Sequence, residues 1–183
     1  MRRLLRADQP GPPARAAAGV HLRLVPRRRL GAPGTLNLGV VAVALGVTAL
    51  DALTKAWARH ALAQRPVHLV GPLWLRLHYN TGVSFSVASS GPLVVTVVTA
   101  LVAVAVVVVG LRARRGWPTV GFGLLIGGGV ANLVDRLAAT PHAVTDFVAV
   151  SSFPVFNVAD AAITVGFVVL AVVALRGGTL AAR

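Results

Sequence analysis

The chain has 183 residues, of which 56% are hydrophobic and only 13% are charged, and its mean hydropathy of +0.77 is too high for a soluble globular domain. Five Asp against 18 Lys plus Arg give a formal charge of +13, and the absence of Cys excludes disulfides, thiol nucleophiles and cysteine metal sites. The arginines form no basic stripe interleaved with aromatic residues, so we expect no nucleic acid partner.

The two ends of the chain are predicted to be tails. Residues 1–34 consist largely of Arg, Pro, Ala and Gly without apolar periodicity, and eight of the first 29 residues are Arg. Such a segment buries too little apolar surface to fold, so we predict that 1–34 is disordered. Residues 177–183 are predicted to form a short second tail after the membrane domain at 35–176.

Four apolar segments have the length of about 20 residues that a membrane-spanning helix needs. They are 36–56, 92–111, 117–137 and 154–175. The second is rich in β-branched residues, but its length without turn signals favours a helix in lipid over a buried strand. The predicted fold class is therefore an all-α membrane protein with four transmembrane helices.

The positions of the basic residues predict how these spans are oriented. Outside the N-terminal tail, the arginines at span ends are Arg112, Arg114, Arg115, Arg176 and Arg183. By the positive-inside rule these residues and the N-terminal tail belong in the cytoplasm, so both termini are predicted to be cytoplasmic. The connections at 57–91 and 138–153 are then outside.

The outer connection at 57–91 is predicted to contain a small extracytoplasmic β element. Leu73, Leu75, Leu77 and Tyr79 alternate with Trp74, Arg76 and His78, and this period of two indicates a half-buried strand. The turn residues at 80–82 then predict a return strand at 83–87.

In this topology four Asp side chains gather near the outer surface. Asp51 and Asp135 lie towards the outer ends of the first and third spans, and Asp146 lies in the connection at 138–153. Counted from Pro154, Asp160 lies roughly 9 Å inside the fourth span, deeper than a helix-capping residue needs. Ionisable residues inside a membrane indicate a functional site.

The spacing of the remaining polar residues predicts structural support. Asp51 and Lys55 are four residues apart on a helix and are expected to form an ion pair. Asn132 and Asp135 share a helix face, while Arg136 is expected to reach the interface or pair with an acid. These groups are interpreted as braces around a site, with the chemistry elsewhere.

Asp146 and Asp160 come from different elements, and two carboxylates held close together share one proton. One then acts as general base on a water and the other as general acid, as in an aspartic protease. Two alternatives stay open: a Ser–Lys protease that uses Lys55 as base, and a transporter or proton relay. No HExxH spacing is present to indicate a metalloprotease.

Five motifs, in order along the chain, resemble those of the lipoprotein signal peptidase (signal peptidase II) family. They are DALTK at 51–55, NTGVSFS at 80–86, GGGVANLVDR at 127–136, VTDF at 144–147 and FNVADAAITVG at 156–166. The resemblance implies an aspartic endopeptidase of the bacterial plasma membrane. It would remove signal peptides from prolipoproteins at the outer leaflet, on the amino side of the diacylglyceryl-modified cysteine.

By the same resemblance, the catalytic pair is Asp146 and Asp160. The matched positions that would support the site or contact substrate are Asp51, Lys55, Asn80, Gly82, Asn132, Asp135, Arg136 and Asn157. No metal or organic cofactor is implied. The implied partners are a lipid-modified prolipoprotein, membrane lipids and an inhibitor of the globomycin type.

Overall fold

A computed structural model describes residues 36–81, 91–138 and 143–181. The predicted N-terminal tail, Gly82 and the predicted return strand at 83–87 therefore lie outside the described residues. Within the described ranges the chain forms four helices and three strands. They are α1 (Leu38–Ala61), β1 (Val67–Val70), β2 (Leu73–Asn80), α2 (Gly91–Gly110), α3 (Trp117–Ala138), β3 (Val144–Val150) and α4 (Val158–Leu175).

Three of these helices, α1, α3 and α4, are long and apolar enough to cross a membrane. In α2 the apolar stretch found among the described residues is shorter and comprises Ala100–Gly110. The prediction of a helical membrane protein is confirmed in this coarser form. The prediction of four spans is confirmed for three helices only.

Helix α3 is the centre of the helical layer, since α1, α2 and α4 all pack against it. Its glycines permit close approach of the neighbouring backbones. A Cβ atom at Gly127 would lie 2.6 Å from the carbonyl oxygen of Ala44 in α1, and one at Gly128 would lie 2.5 Å from that of Ala159 in α4. Small residues at such crossings are typical of helix packing in membranes. The polar ends of α1, α3 and α4 are thereby brought together.

Helix α4 begins later than the sequence predicts. Asn157 caps it, and Asp160 in the first turn completes a capping box: the Asn157 side chain accepts from Asp160 N at 2.9 Å, and Asp160 Oδ2 accepts from Asn157 N at 3.1 Å. The prediction that Asp160 lies deeper than a cap was wrong. The chain before the cap is extended because the backbone of Phe156 pairs with Val148 of β3.

The three strands form one antiparallel sheet in the order β1-β2-β3. The alternation predicted for β2 is confirmed at Leu73, Leu75 and Leu77, which are half-buried between exposed neighbours. It is wrong at Tyr79, which is exposed while Asn80 turns inward. A register irregularity between Leu75 and His78, on the β3 side, accompanies this change of phase.

Strand β3 lies in the segment that was predicted to be a connection. Its first four residues, including Asp146, are all buried. Asp146 therefore lies in a buried strand, and its prediction as a loop acid was wrong. A strand covered on both faces lacks the alternating pattern by which β2 was recognised. Its pairing with β2 sets Asn80 opposite Val144 and His78 opposite Asp146.

Candidate active site

Polar side chains from five elements meet at one end of the helical layer. Asp51 and Lys55 come from α1, and Asn80 comes from the end of β2. The others are Asn132 and Asp135 of α3, Asp146 of β3, and Asn157 and Asp160 at the start of α4. Three of them, Asn80, Asn132 and Asn157, donate directly to the acids of β3 and α4. Lys55 joins Asp51 and Asp135 to Asn132.

Asp146 is completely buried and accepts a hydrogen bond at each carboxylate oxygen. Asn157 Nδ2 donates to Oδ1 at 2.6 Å, and Asn80 Nδ2 donates to Oδ2 at 3.0 Å. Burial raises the pKa of Asp146 from 3.8 to about 6, and the charge of Asp160 adds to that rise. The two amides and Lys55 oppose it, so burial is the effect that wins.

Asp160 is half-buried and is held by Asn132 and by Asn157, the second of which also bonds to Asp146. Asn132 Nδ2 donates to Oδ1 at 2.8 Å, and the backbone N–H of Asn157 donates to Oδ2 at 3.1 Å. Asn157 therefore donates to Asp160 through its backbone and to Asp146 through its side chain. The two acids come from different elements, share this residue and interact electrostatically.

Lys55 is the buried cation of the cluster and contacts three side chains. Its Nζ lies 2.6 Å from Asp51 Oδ2 and 3.2 Å from Asp135 Oδ2, and it donates to Asn132 Oδ1 at 2.9 Å. The predicted ion pair with Asp51 is confirmed. The other carboxylate oxygen of Asp51, Oδ1, accepts from the backbone N–H of Ala159 at 2.8 Å, and this hydrogen bond joins α1 to the first turn of α4.

Asn132 connects the buried cation with the acids, because its Oδ1 accepts from Lys55 while its Nδ2 donates to Asp160. The same Oδ1 accepts from Asn157 Nδ2 at 3.2 Å. Among the described residues, the hydrogen-bond and ion-pair partners of Lys55 do not include Ser151 or Ser152. The other outer serines, Ser84, Ser86, Ser89 and Ser90, lie outside the described residues.

Asp135 fixes the start of β3, since its Oδ2 accepts from the backbone N–H of Thr145 at 3.0 Å. Arg59 of α1 reaches the same place: its Nη1 donates to Thr145 Oγ1 at 3.2 Å and lies 3.9 Å from Asp135 Oδ1. Arg136 follows Asp135 and interacts electrostatically with Asp160, Asp146 and Asp135. Of the predicted residues of α3, Asn132 therefore contacts Asp160 directly, whereas Asp135 contacts Lys55 and the start of β3.

Sequence reasoning missed Arg59 and Thr145. Arg59 follows Lys55 by four residues and Asp51 by eight, so it shares their helix face, and that spacing was a usable signal. For Thr145 the only signal was its position next to Asp146. Of the predicted site residues, Gly82 is the one that lies outside the described residues.

An apolar groove of about 350 Å³ opens beside Asp160. It is lined by Phe153, Phe156, Asp160, Ala161, Thr164 and Val165. The side chain of Phe153 is 62% exposed at its edge. One carboxylate of the cluster therefore borders an apolar surface that continues along α4. In the described part of the chain, no three His or Asp side chains are grouped to hold a metal ion.

The sequence of this chain is similar to a known protein family and to individual relatives. A family model described as signal peptidase (SPase) II matches residues 43–176. The lipoprotein signal peptidase of Rhodococcus jostii (strain RHA1) is 42% identical over 137 residues, covering 72% of this chain and 69% of the relative. That of Mycobacterium avium (strain 104) is 36% identical over 152 residues, covering 79% of this chain and 82% of the relative.

The fold is also similar to solved structures. A bacterial membrane enzyme determined by the in meso method at 1.9 Å resolution matches with a TM-score of 0.66 and 22% identity, over 79% of this chain and 98% of that one. A second, at 2.3 Å resolution, matches with a TM-score of 0.64. At this identity the likeness describes the fold alone.

Proposed function

Because this chain belongs to the signal peptidase II family, we propose that Asp146 and Asp160 are the catalytic pair with which it removes signal peptides from prolipoproteins. The protein is a membrane peptidase. One observation carries it: two carboxylates from separate elements meet at Asn157, which donates to Asp146 at 2.6 Å and to Asp160 at 3.1 Å.

The pair is suited to hold one proton between its two members. Asp146 is buried and its pKa is raised to about 6, whereas Asp160 is half-buried and borders the groove. Two adjacent carboxylates resist losing both protons, so one member stays protonated while the other is ionised.

The reaction then needs no group beyond the pair and one water. The ionised carboxylate takes a proton from the water, whose oxygen forms a bond to the scissile carbonyl carbon. The protonated carboxyl gives its proton to the carbonyl oxygen, so no free oxyanion accumulates. When the C–N bond breaks, the proton taken from water passes to the leaving nitrogen. As the carbonyl re-forms, a hydroxyl of the tetrahedral intermediate returns its proton to the other carboxylate, so the pair recovers its single shared proton.

The surrounding amides are positioning residues in this scheme. Asn80, Asn132 and Asn157 each donate an N–H to a carboxylate oxygen of the pair, at 3.0, 2.8 and 2.6 Å. Donors fixed in this way favour the ionised form and set the direction of its lone pairs. Lys55 keeps Asn132 in place and is itself neutralised by Asp51 and Asp135.

The substrate is a prolipoprotein that carries a diacylglyceryl group on the cysteine after the scissile bond. Such a substrate is already confined to the outer leaflet, and the groove beside Asp160 offers its apolar part a surface on α4. We also infer that α2 crosses the membrane as an additional span and that both termini are cytoplasmic. The active site then lies at the outer leaflet of a bacterial plasma membrane. A globomycin-type inhibitor is expected to compete for the same groove.

The test is cleavage of matched substrates by the purified full chain in lipid vesicles. One prolipoprotein is diacylglyceryl-modified at its cysteine and the other is identical but unmodified, and mass spectrometry identifies the new N-terminus. We expect a product that begins at the lipidated cysteine from the first substrate and little or none from the second. Equal cleavage of both, or cleavage at another bond, would contradict the substrate assignment.

A further inference from the structure

The end of the molecule remote from the catalytic pair carries a group of exposed arginines. Arg112, Arg114 and Arg115 follow α2, and Arg176 caps the C-terminus of α4, all with exposed side chains. The four acids of the described residues, Asp51, Asp135, Asp146 and Asp160, all belong to the cluster at the other end. Within the described part of the chain, this end is therefore basic without acidic compensation.

An apolar groove of about 430 Å³ lies at this basic end, between the start of α3 and the end of α4. Its lining includes Trp117, Val168, Val169, Val172, Val173 and Arg176. On α4 the residues 168, 172 and 176 are spaced by one helical turn, so two valines and then a guanidinium follow one another along a single stripe. Trp117 is 69% exposed at the opposite wall.

The chain after α4 folds back and leaves Arg176 at the rim of the groove. Gly177 adopts a left-handed φ of +72°, and Gly178 N donates to Val173 O at 2.9 Å. The following residues then pair with the loop after α2, where Arg114 Nη1 donates to Thr179 Oγ1 at 2.5 Å. Arg114 is thereby engaged within the protein, whereas the Arg176 side chain lines the groove.

We propose that this groove binds one anionic phospholipid. An acyl chain lies along the valine stripe of α4, the phosphate accepts hydrogen bonds from the Arg176 guanidinium, and Trp117 stands at the level of the headgroups. Arg matches a phosphate with two parallel N–H donors, and Trp is enriched at membrane interfaces. Clusters of arginines beside a membrane helix attract anionic lipids.

Charge favours the lipid over a second copy of this chain. A copy docked on the groove through its own basic end would bring like charges together, and such a juxtaposition is unfavourable. The acyl chain of a zwitterionic lipid would fit the apolar stripe equally well. Its headgroup, however, places a cation beside the phosphate, next to a surface that is already basic. The combination of an apolar stripe ending in an arginine and an uncompensated basic surface is matched best by an anionic headgroup.

The test uses Trp117 as the reporter in the full chain. The protein is reconstituted into phosphatidylcholine vesicles that contain a small fixed fraction of either brominated phosphatidylglycerol or brominated phosphatidylcholine, and quenching of tryptophan fluorescence is measured. We expect more quenching by the brominated phosphatidylglycerol. In Trp117→Phe the excess is lost, because the remaining Trp57 and Trp74 lie elsewhere.

Two arginine variants distinguish the groove from the general basic surface. Arg176→Gln is expected to abolish the excess quenching, while Arg115→Gln, which removes the same charge at the same end but does not line the groove, is expected to keep it. Circular dichroism checks that both variants are folded, and both are expected to cleave substrate normally. Equal quenching by the two lipids, or equal loss in both variants, would overturn the proposal.

Discussion

Replacing Asp51 by Ala removes two contacts of the buried cluster at once. The carboxylate lies 2.6 Å from Lys55 Nζ and accepts from the backbone N–H of Ala159 at 2.8 Å, and both Asp51 and Lys55 are only 1% exposed. The variant leaves Lys55 with Asp135 as its remaining carboxylate partner. It also leaves a buried N–H at the first turn of α4 without its acceptor. We therefore expect a loss of stability and not a loss of chemistry.

The size of the loss follows from these two contacts. Removing one partner of a buried ion pair costs about 3–5 kcal/mol, and a buried donor left without an acceptor costs about 1–3 kcal/mol. Since Asp135 still faces Lys55, we expect Asp51→Ala to lower the free energy of unfolding by about 3–5 kcal/mol in total. Asp51→Asn keeps an acceptor oxygen for Ala159 and is expected to cost less.

Unfolding of the purified protein in detergent micelles, followed by circular dichroism as sodium dodecyl sulfate is added, measures this change. Thr54→Ala is the matched control on the same helix. Within the described ranges the Thr54 hydroxyl donates to carbonyl oxygens of its own helix, so this change is expected to cost less than about 1 kcal/mol. The reasoning is refuted if Asp51→Ala unfolds like the unmodified protein and yet shows no cleavage per folded molecule.

Three further results are expected. An added Cβ at Gly128 would lie 2.5 Å from the carbonyl oxygen of Ala159 in α4, so Gly128→Ala is expected to lower the free energy of unfolding by about 1–3 kcal/mol in the same titration. Among the described residues, an added Cβ at Gly129 meets no neighbouring element within 4 Å, so Gly129→Ala is expected to be tolerated, and equal effects of the two changes would contradict the close packing. Arg59→Gln lowers kcat of cleavage with little change in KM, because the guanidinium holds Thr145 at the start of β3; unchanged kcat would remove this role. Since the pKa of Asp146 is higher in the folded than in the unfolded chain, the free energy of unfolding falls as pH rises from 3.8 to about 6. Asp146→Asn removes that part of the fall, and identical pH profiles for the two proteins would contradict it.

The helices and the ion pair could be predicted because their signals are local. The lengths of the apolar segments indicated α1, α3 and α4 to within a few residues, and a spacing of four residues was enough to pair Asp51 with Lys55. The inward leucines of β2 were predicted from alternation, because only one face of that strand is covered. In each case the information lies within a few residues of the element concerned.

The parts that failed depend on contacts that are distant in sequence. Strand β3 is buried on both faces, so no alternation indicated it. The start of α4 is displaced from Pro154 because Phe156 pairs with β3, which no local pattern shows. The hydrogen bond from Arg59 to Thr145 joins residues 86 positions apart, so no local pattern predicts this contact, although the helix spacing of Arg59 from Lys55 places it on the same face.

The central claim is that Asp146 and Asp160 act together as one catalytic unit. Neutral Asn at either position keeps the size of the side chain and part of its hydrogen bonding, but it cannot take a proton from water. Each single variant is therefore expected to fold and to bind a globomycin-type inhibitor. Each is also expected to lose cleavage, and the double variant should be hardly worse than either.

The most direct measurement is the single-turnover rate of cleavage of a diacylglyceryl-modified prolipoprotein by Asp146→Asn, Asp160→Asn and the double variant. A variant with Ser151 and Ser152 both changed to Ala serves as the control, and we expect it to retain activity. The account predicts no detectable product from any of the three Asn proteins while they remain folded and bind inhibitor. Substantial turnover by the double variant would contradict the aspartic mechanism and favour a base such as Lys55.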